Sequence, residues 1–222
     1  MNVVICGING AMGQVLQEEI QLYDNIDLIG SLSPRNGNFG QDIVEKPDVV
    51  IDFSNTANLD FLIDYAVRNN SALLICTTGF SNEDKIKIEE AGKFIPVMLS
   101  SNTSLGINVF RKILKCISAE LNNFDINILE RHHNKKKDAP SGTAKTLAED
   151  IMNVTGKEHV EISSFRAGTI PGEHMVIFSG MNEILEIKHT AFSRKVFADG
   201  ALDLALKLSS KEPGYYLTEY FF

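Results

Sequence analysis

The sequence predicts an α/β protein: a parallel-sheet region built from both ends of the chain, with an α+β region inserted between. Three observations carry this. Short β-branched runs alternate with amphipathic helical segments over the first hundred residues. A glycine-rich turn stands between the first run and the first helix. After Leu99 the order changes to successive strand-like runs joined by short turns.

The compact runs Val3–Cys6, Asp27–Leu32, Val49–Phe53, Ala72–Thr77 and Ile95–Leu99 read as strands buried on both faces. Ala11–Tyr23, Thr56–Asn69 and Asn82–Lys93 read as the helices between them, and this alternation implies right-handed crossovers. Pro34, Gly37, Gly40 and Pro47 make the stretch from Leu32 to Asp48 mostly irregular. Beyond Leu99, Leu105–Leu121 and Gly142–Val154 read as helices. Phe124–Glu130, Glu161–Arg166, Met175–Ser179 and Glu183–Ala191 read as strands of a mixed or antiparallel sheet. Lys195–Leu208 is predicted helical and Tyr215–Phe221 a last strand.

The chain has 222 residues, 44% hydrophobic and 23% charged, with net charge −8. That length can bury a sizeable core. The acidic balance argues against nucleic-acid or membrane-surface partners while leaving room for a local cationic pocket. Cys6, Cys76 and Cys116 are widely spaced, so neither a disulfide framework nor a metal site is expected, and a reduced, cytoplasmic setting is the default. The opening Met1–Gly7 is strand-like, so no signal peptide is expected, and no apolar run reaches membrane-spanning length.

Gly7-Ile8-Asn9-Gly10-Ala11-Met12-Gly13 is a variant of the dinucleotide fingerprint. Glycine allows the tight turn and lets a pyrophosphate approach the helix N-terminus, where N–H groups and the dipole favour negative charge. A Rossmann-like nucleotide domain is expected. The end of the second strand, where the adenosine ribose is read, is Ser31-Leu32-Ser33-Pro34-Arg35. It has no acid, which leans toward NADPH or dual use of NADPH and NADH; the alternative is a polar loop with Arg35 in solvent. Cys76-Thr77-Thr78-Gly79 and Ser100-Ser101-Asn102-Thr103-Ser104 follow successive strands, and their small polar side chains suit a cofactor crevice.

The most informative stretch is Glu130-Arg131-His132-His133-Asn134-Lys135-Lys136-Lys137-Asp138-Ala139-Pro140-Ser141-Gly142-Thr143. Ser141 can cap the helix that follows, and Pro140 fixes its approach. Gly142 and Thr143 offer backbone N–H groups to a carboxylate. His132 and His133 at a strand end point to opposite sides, so one can donate a proton while the other holds substrate. Lys136 is close enough to share the pocket. Clustered cations lower one another's proton affinity, and a bound dianion raises it again, which suits a proton donor.

These residues resemble the 4-hydroxy-tetrahydrodipicolinate (dihydrodipicolinate) reductase family of the diaminopimelate route to lysine. The family signature is an acid, a spacer, two histidines, a lysine four residues after the first, then Asp-Ala-Pro-Ser-Gly-Thr-Ala. Here it reads Glu130, His132, His133, Lys136 and Asp138 to Ala144. Similarity extends through Gly7–Gly13, Cys76–Gly79, Ser101–Asn108, Arg166–Gly168, Pro171–His174 and Lys188 to Gly200.

The resemblance implies an NAD(P)H-dependent reductase in which His132 is the acid/base residue and Lys136 a proton donor. His133, Gly142 and Thr143 would hold a dicarboxylate. Gly7, Ile8, Asn9, Gly10, Ala11, Met12, Cys76, Thr77, Thr78, Ser100, Ser101, Asn102 and Thr103 would line the cofactor site. It further implies a dinucleotide domain from 1–103 plus 194–222, a substrate and oligomerisation domain from 104–193, and a homotetramer. The family commonly has Arg at Ala11, Gly at Cys76 and Phe at Thr103, which bears on cofactor affinity. Two other readings are a Cys76-dependent aldehyde dehydrogenase and a dinucleotide-binding sensor without chemistry.

Overall fold

The computed structural model describes residues 1–221. The chain folds as two compact units: Met1–Ser104 with the segment from Lys195 onward, and Leu105–Arg194.

The first unit is a six-stranded, all-parallel sheet. Its strands are β1 (Asn2–Cys6), β2 (Asp27–Leu32), β3 (Val49–Asp52), β4 (Ala72–Ile75), β5 (Pro96–Leu99) and β10 (Gly214–Tyr216), in the order β10-β5-β4-β3-β1-β2. Side chains on successive residues of a strand leave on opposite faces. Val3, Ile5, Val49, Ile51 and Leu74 therefore pack with Leu16 and Ile20 of α1 (Ala11–Ile20) and with the small, buried face of α6 (Lys195–Leu208). Val4, Cys6, Val50, Leu73 and Ile75 meet α2 (Leu59–Asn69) and α3 (Asn82–Ala91) on the other side. Ser81 opens α3 with a reciprocal capping box to Asp84. β1 lies between β3 and β2, so the chain reverses direction across the sheet there, and the strand ends leave a crevice at that point.

The last strand is shorter than its sequence predicts. Tyr215–Phe221 is aromatic and β-prone, but β10 ends at Tyr216 and a 3₁₀ turn takes Thr218–Tyr220. Its neighbour β5 ends at Leu99, and the ladder between them covers only Pro96 to Met98.

The second unit has a four-stranded mixed sheet, order β7-β6-β8-β9, from β6 (Asp125–His132), β7 (Glu161–Arg166), β8 (Gly172–Ser179) and β9 (Ile184–Ala191). β6 and β7 are parallel; the other pairings are antiparallel. Helices α4 (Leu105–Glu120) and α5 (Gly142–Thr155) cover one face through Phe110, Leu114, Leu147, Ile151, Ile128 and Phe178. Arg111 ties them together, with Nε 2.6 Å and Nη2 3.1 Å from the two carboxylate oxygens of Asp150. β6 runs two residues past the predicted Glu130. Pairing of Arg131 with Glu173 and of His132 with Arg166 carries it to His132. No helix among the described residues is long and apolar enough to cross a membrane.

Candidate active site

Each unit holds one half of the candidate machinery. In the first, Gly7 sits at φ +88°, and a Cβ there would stand 2.5 Å from the Phe53 carbonyl oxygen. A Cβ on Gly13 would lie 2.2 Å from the Gly7 oxygen. Only glycine permits this closure. Gly10 caps α1 without any side chain, so the first-turn N–H groups point outward toward the strand ends.

Two cavities open around this turn. One, of about 240 Å³, is walled by Gly7, Gly10, Ser33, Arg35 and Asn58. The other, of about 380 Å³, is walled by Met12, Thr56, Cys76, Thr77 and Thr78. Both share Phe53, Ser54 and Asn55. A roomier groove of about 510 Å³ between α2 and α3 is walled by Ile63, Val67, Ile86, Ala91 and Phe94 together with Asp60, Asp64, Lys87 and Glu90, and contains none of the glycine-turn residues.

Sequence reasoning missed the loop between the two cavities. Asp52 is fully buried, and its Oδ1 accepts from Ser54 N at 3.0 Å and Ser54 Oγ at 2.5 Å. Thr77 Oγ1 accepts from Ser54 N at 2.8 Å, joining the ends of β3 and β4. Burial raises the Asp52 carboxyl above its usual range despite these hydrogen bonds. An acid closing a strand of buried aliphatics was the signal available.

The other predicted crevice residues differ in exposure. Asn9, Ala11, Thr78 and Ser101 are exposed, and Ile8 and Met12 half-buried. Ser100 is buried, and Asn102 Oδ1 accepts from Ser104 N at 3.0 Å. Thr103 is buried. Its hydroxyl donates to Phe197 O of α6 at 2.6 Å, and its carbonyl packs where a Cβ on Gly200 would be 1.8 Å away. The burial of Cys76 weighs against its nucleophilic reading. Burial first, and the nearby Asp52 carboxylate second, raise its thiol well above the ordinary value, so the thiolate is suppressed.

In the second unit, alternation along β6 puts Ile126, Ile128, Glu130 and His132 on the buried face. The acid and the histidine two residues on thus stand side by side, with His132 Nδ1 2.6 Å from Glu130 Oε2. Arg166, at the end of the neighbouring β7, grips both Glu130 oxygens at 2.8 and 2.7 Å and donates to Asp138 O at 2.6 Å. Ser141 N donates to Glu130 Oε1 at 3.1 Å.

Burial alone would raise Glu130, but hydrogen bonds led by Arg166 and His132 bring it to about 2. Glu130 is therefore a fixed anion. Burial lowers the proton affinity of His132, Glu130 pulls it back up, and Lys136 and Arg166 lower it again; the net shift is downward. His132 is buried, and Glu130 fixes its ring through Nδ1, so that Nε2 is the nitrogen left for a proton transfer. A Cβ on Gly172 would be 3.3 Å from that nitrogen, so the glycine keeps its face open.

Beyond the strand the chain turns. Lys136 N donates to His133 O at 3.1 Å, and Lys136 Nζ lies 2.9 Å from Asp138 Oδ1. His133 is half-buried. Ser141 caps α5 by accepting from Ala144 N at 3.2 Å, with Gly142 and Thr143 as the first helical residues. A Cβ on Gly142 would meet nothing within 4 Å. Neither Arg166 nor His174, which touches both Ser141 and His132, was assigned a role from sequence.

A glycine-closed parallel sheet together with a separate unit bearing a buried carboxylate–imidazole pair defines a dinucleotide-dependent oxidoreductase of the NAD(P)H class. Family models for the dihydrodipicolinate reductase N-terminus and C-terminus match residues 1–103 and 106–221. The chain belongs to the dihydrodipicolinate reductase family. A 4-hydroxy-tetrahydrodipicolinate reductase from Brachyspira hyodysenteriae is 40% identical, covering 97% of this chain and 97% of its own. One from Clostridium novyi is 39% identical, covering 96% and 95%. The dipicolinate-bound dihydrodipicolinate reductase from Paenisporosarcina sp. shares the fold with TM-score 0.82 at 21% identity, covering 100% of this chain and 99% of its own.

Proposed function

We propose that the chain reduces 4-hydroxy-tetrahydrodipicolinate to tetrahydrodipicolinate, consuming one NAD(P)H and one proton and releasing NAD(P)⁺ and water, within lysine and diaminopimelate synthesis. The observation that carries this reading is the Arg166–Glu130–His132 chain, in which Glu130 also accepts from Ser141 N at the opening of α5 and His132 Nε2 lies toward Gly172.

The residues of the first unit fit a dinucleotide. Gly7 and Gly13 leave room where a Cβ would intrude, and the uncapped α1 N-terminus offers N–H groups to a pyrophosphate. In this reading Gly7 to Met12, Cys76 to Thr78 and Ser100 to Asn102 line the cofactor site, with Thr103 contributing backbone only. Arg35, in a cavity wall that has no acid at the end of β2, favours a 2′-phosphate and hence NADPH over NADH. When bound, the reduced cofactor supplies the hydride.

His132 supplies the proton. Its proton affinity is lowered before substrate arrives, and a dianion beside it raises that affinity where the proton is needed. Lys136 adds a second donor and fixed positive charge. His133, Gly142 and Thr143 hold the carboxylates at the helix opening. Residues 1–103 with 194–222 serve as the dinucleotide domain and 104–193 as the substrate domain of a cytoplasmic homotetramer. Exposed Phe165, Ile184 and Leu185 on the sheet of the second unit support assembly.

The test is NADPH and NADH oxidation with and without freshly generated 4-hydroxy-tetrahydrodipicolinate. Substrate-dependent oxidation, faster with NADPH, is expected. A dinucleotide sensor would bind NADPH and leave it unoxidised.

A further inference from the structure

His174 is a buried imidazole for which the chemistry above has no use. It is 4% exposed, the third residue of β8, paired across the ladder with Glu130 on one side and His189 on the other. Its Nε2 is 3.1 Å from Ser141 Oγ, and its ring stands edge-on to that of His132, centroids 5.2 Å apart and planes at 74°. Its Nδ1 has no hydrogen-bond partner among the described residues.

These contacts close a circuit. His132 Nδ1 meets Glu130 Oε2, Glu130 Oε1 accepts from Ser141 N, Ser141 Oγ meets His174 Nε2, and the His174 ring returns to His132. Glu130 is fully buried and Ser141 2% exposed, so water does not compete at these joints. Ser141 Oγ already accepts from Ala144 N, which leaves its hydroxyl hydrogen for an unprotonated His174 Nε2. Burial, with His132 next in effect, keeps the His174 ring neutral by lowering its proton affinity to about 3. An aliphatic side chain would fill this place without stranding a polar nitrogen, and stranding one opposes folding. The compensating interaction is the one at Nε2.

We propose that His174 is a positioning residue, which through Ser141 holds the opening of α5 against Glu130 and thereby sets the placement of His132 relative to the anion-binding N–H groups. The proposal rests on His132 being the acid/base group. It makes the proton donor and the carboxylate grip one mechanical unit, so a disturbance at either is felt at both.

The test compares full-length His174→Phe, His174→Gln, Ser141→Ala, the Phe/Ala double variant and His132→Gln in steady-state assays. Phe keeps the ring and loses the hydrogen bond; Gln places an amide near the Nε2 position. His174→Phe and Ser141→Ala are each expected to lower kcat/KM for 4-hydroxy-tetrahydrodipicolinate by about 10- to 100-fold, as misplacement by a fraction of an ångström does. KM for NADPH should stay within about twofold and His174→Gln should recover most of the loss. The double variant should be no worse than the poorer single one, since both break one joint.

Equal losses in the Phe and Gln variants, additive losses in the double variant, or Ser141→Ala at full efficiency would overturn the proposal. The Ser141→Ala and Gln arms decide it even if His174→Phe does not fold. Full turnover in His132→Gln would remove the acid/base reading and this proposal together. An inactive His132→Gln beside a fully active His174→Phe would remove this proposal alone.

Discussion

Helix α1 opens at Gly10, where no side chain caps the turn and the geometry is defined by missing atoms at Gly7 and Gly13. Helix α5 opens at Ser141, which is capped, buried and joined to Glu130 and His174. In the proposed function both present N–H groups to an anion, by opposite means. The first is a space kept clear, which suits a pyrophosphate that only has to be held. The second is a wired polar cluster, which suits a substrate whose arrival must change a neighbouring group's protonation. Substitutions in the two places should therefore fail in different ways.

The largest expected effect is on the wired side. His132→Gln and Lys136→Ala should each lower kcat by about 10²- to 10⁴-fold, the usual range for losing a general acid. NADPH affinity, read by fluorescence titration, should change little. Unchanged turnover in both would show that the chemistry lies elsewhere.

The same substitution at the two openings gives the next contrast. Gly13→Ala drives a methyl to 2.2 Å from the Gly7 oxygen, so the turn must open. Overpacking of this kind lowers stability by about 1–3 kcal/mol, and dinucleotide affinity should fall with it. Gly142→Ala meets nothing within 4 Å. It should leave the melting temperature unchanged or slightly raised, by up to about 1 kcal/mol of helix preference, while weakening the dicarboxylate grip. Thermal melts paired with both KM values would read the contrast. A Gly142→Ala protein that loses stability and NADPH affinity would erase it.

Legibility in the sequence followed the same division. The alternating strands and the glycine turn were readable because their signals are local: short β-branched runs buried on both faces, and glycines spaced within seven residues. Glu130 was legible only as the acid of the family signature; that it shares one strand face with His132 follows from β6 running on to His132. Arg166 and His174 were quoted without a role, since only the β6–β7 and β6–β8 pairings bring residues 36 and 44 positions away onto Glu130. The Asp52–Ser54 loop was overlooked because one acid after a strand is common and its partner Thr77 comes from the next strand. The hydrogen bond from the Thr103 hydroxyl was not legible, because its partner is on a helix 94 residues on. The length of β10 depends on how long its neighbour is, which no window around Tyr215 records.

Acid should separate the two units. The His174 pKa falls from the usual 6.5 to about 3, mainly through burial, so below 6.5 the unfolded chain takes up a proton that the folded chain refuses. Stability from this group is complete above 6.5 and is lost as pH falls toward 3, at about 1.4 kcal/mol per unit. His132, also lowered, acts in the same direction, and Glu130, held at about 2, adds a loss below 4.5. Asp52 has the opposite sign. Its raised pKa means the folded state binds a proton before the unfolded chain does, so acid relieves a penalty in the first unit. Hydrogen exchange between pH 7 and pH 4 should thus show protection lost in β6, β8 and α5 before β1, β3 and β4. Simultaneous loss would mean that the circuit around Glu130 does not govern the second unit's stability.

The smallest expected effect is at Arg35 and concerns which dinucleotide is preferred. Arg35 is exposed in the wall of the 240 Å³ cavity, so its attraction for a 2′-phosphate is moderated by solvent. Arg35→Ala should raise KM for NADPH by about tenfold, the scale of one charge-assisted hydrogen bond, and leave KM for NADH nearly unchanged. Because the contact is screened, the NADPH preference of the unmodified enzyme should shrink as salt is raised, whereas that of the variant should not. Initial rates with both dinucleotides at low and high ionic strength would show this. If NADPH preference survives Arg35→Ala, the discrimination comes from neighbouring donors such as Ser33 or Asn36, and the cleared space beside α1 does more than hold.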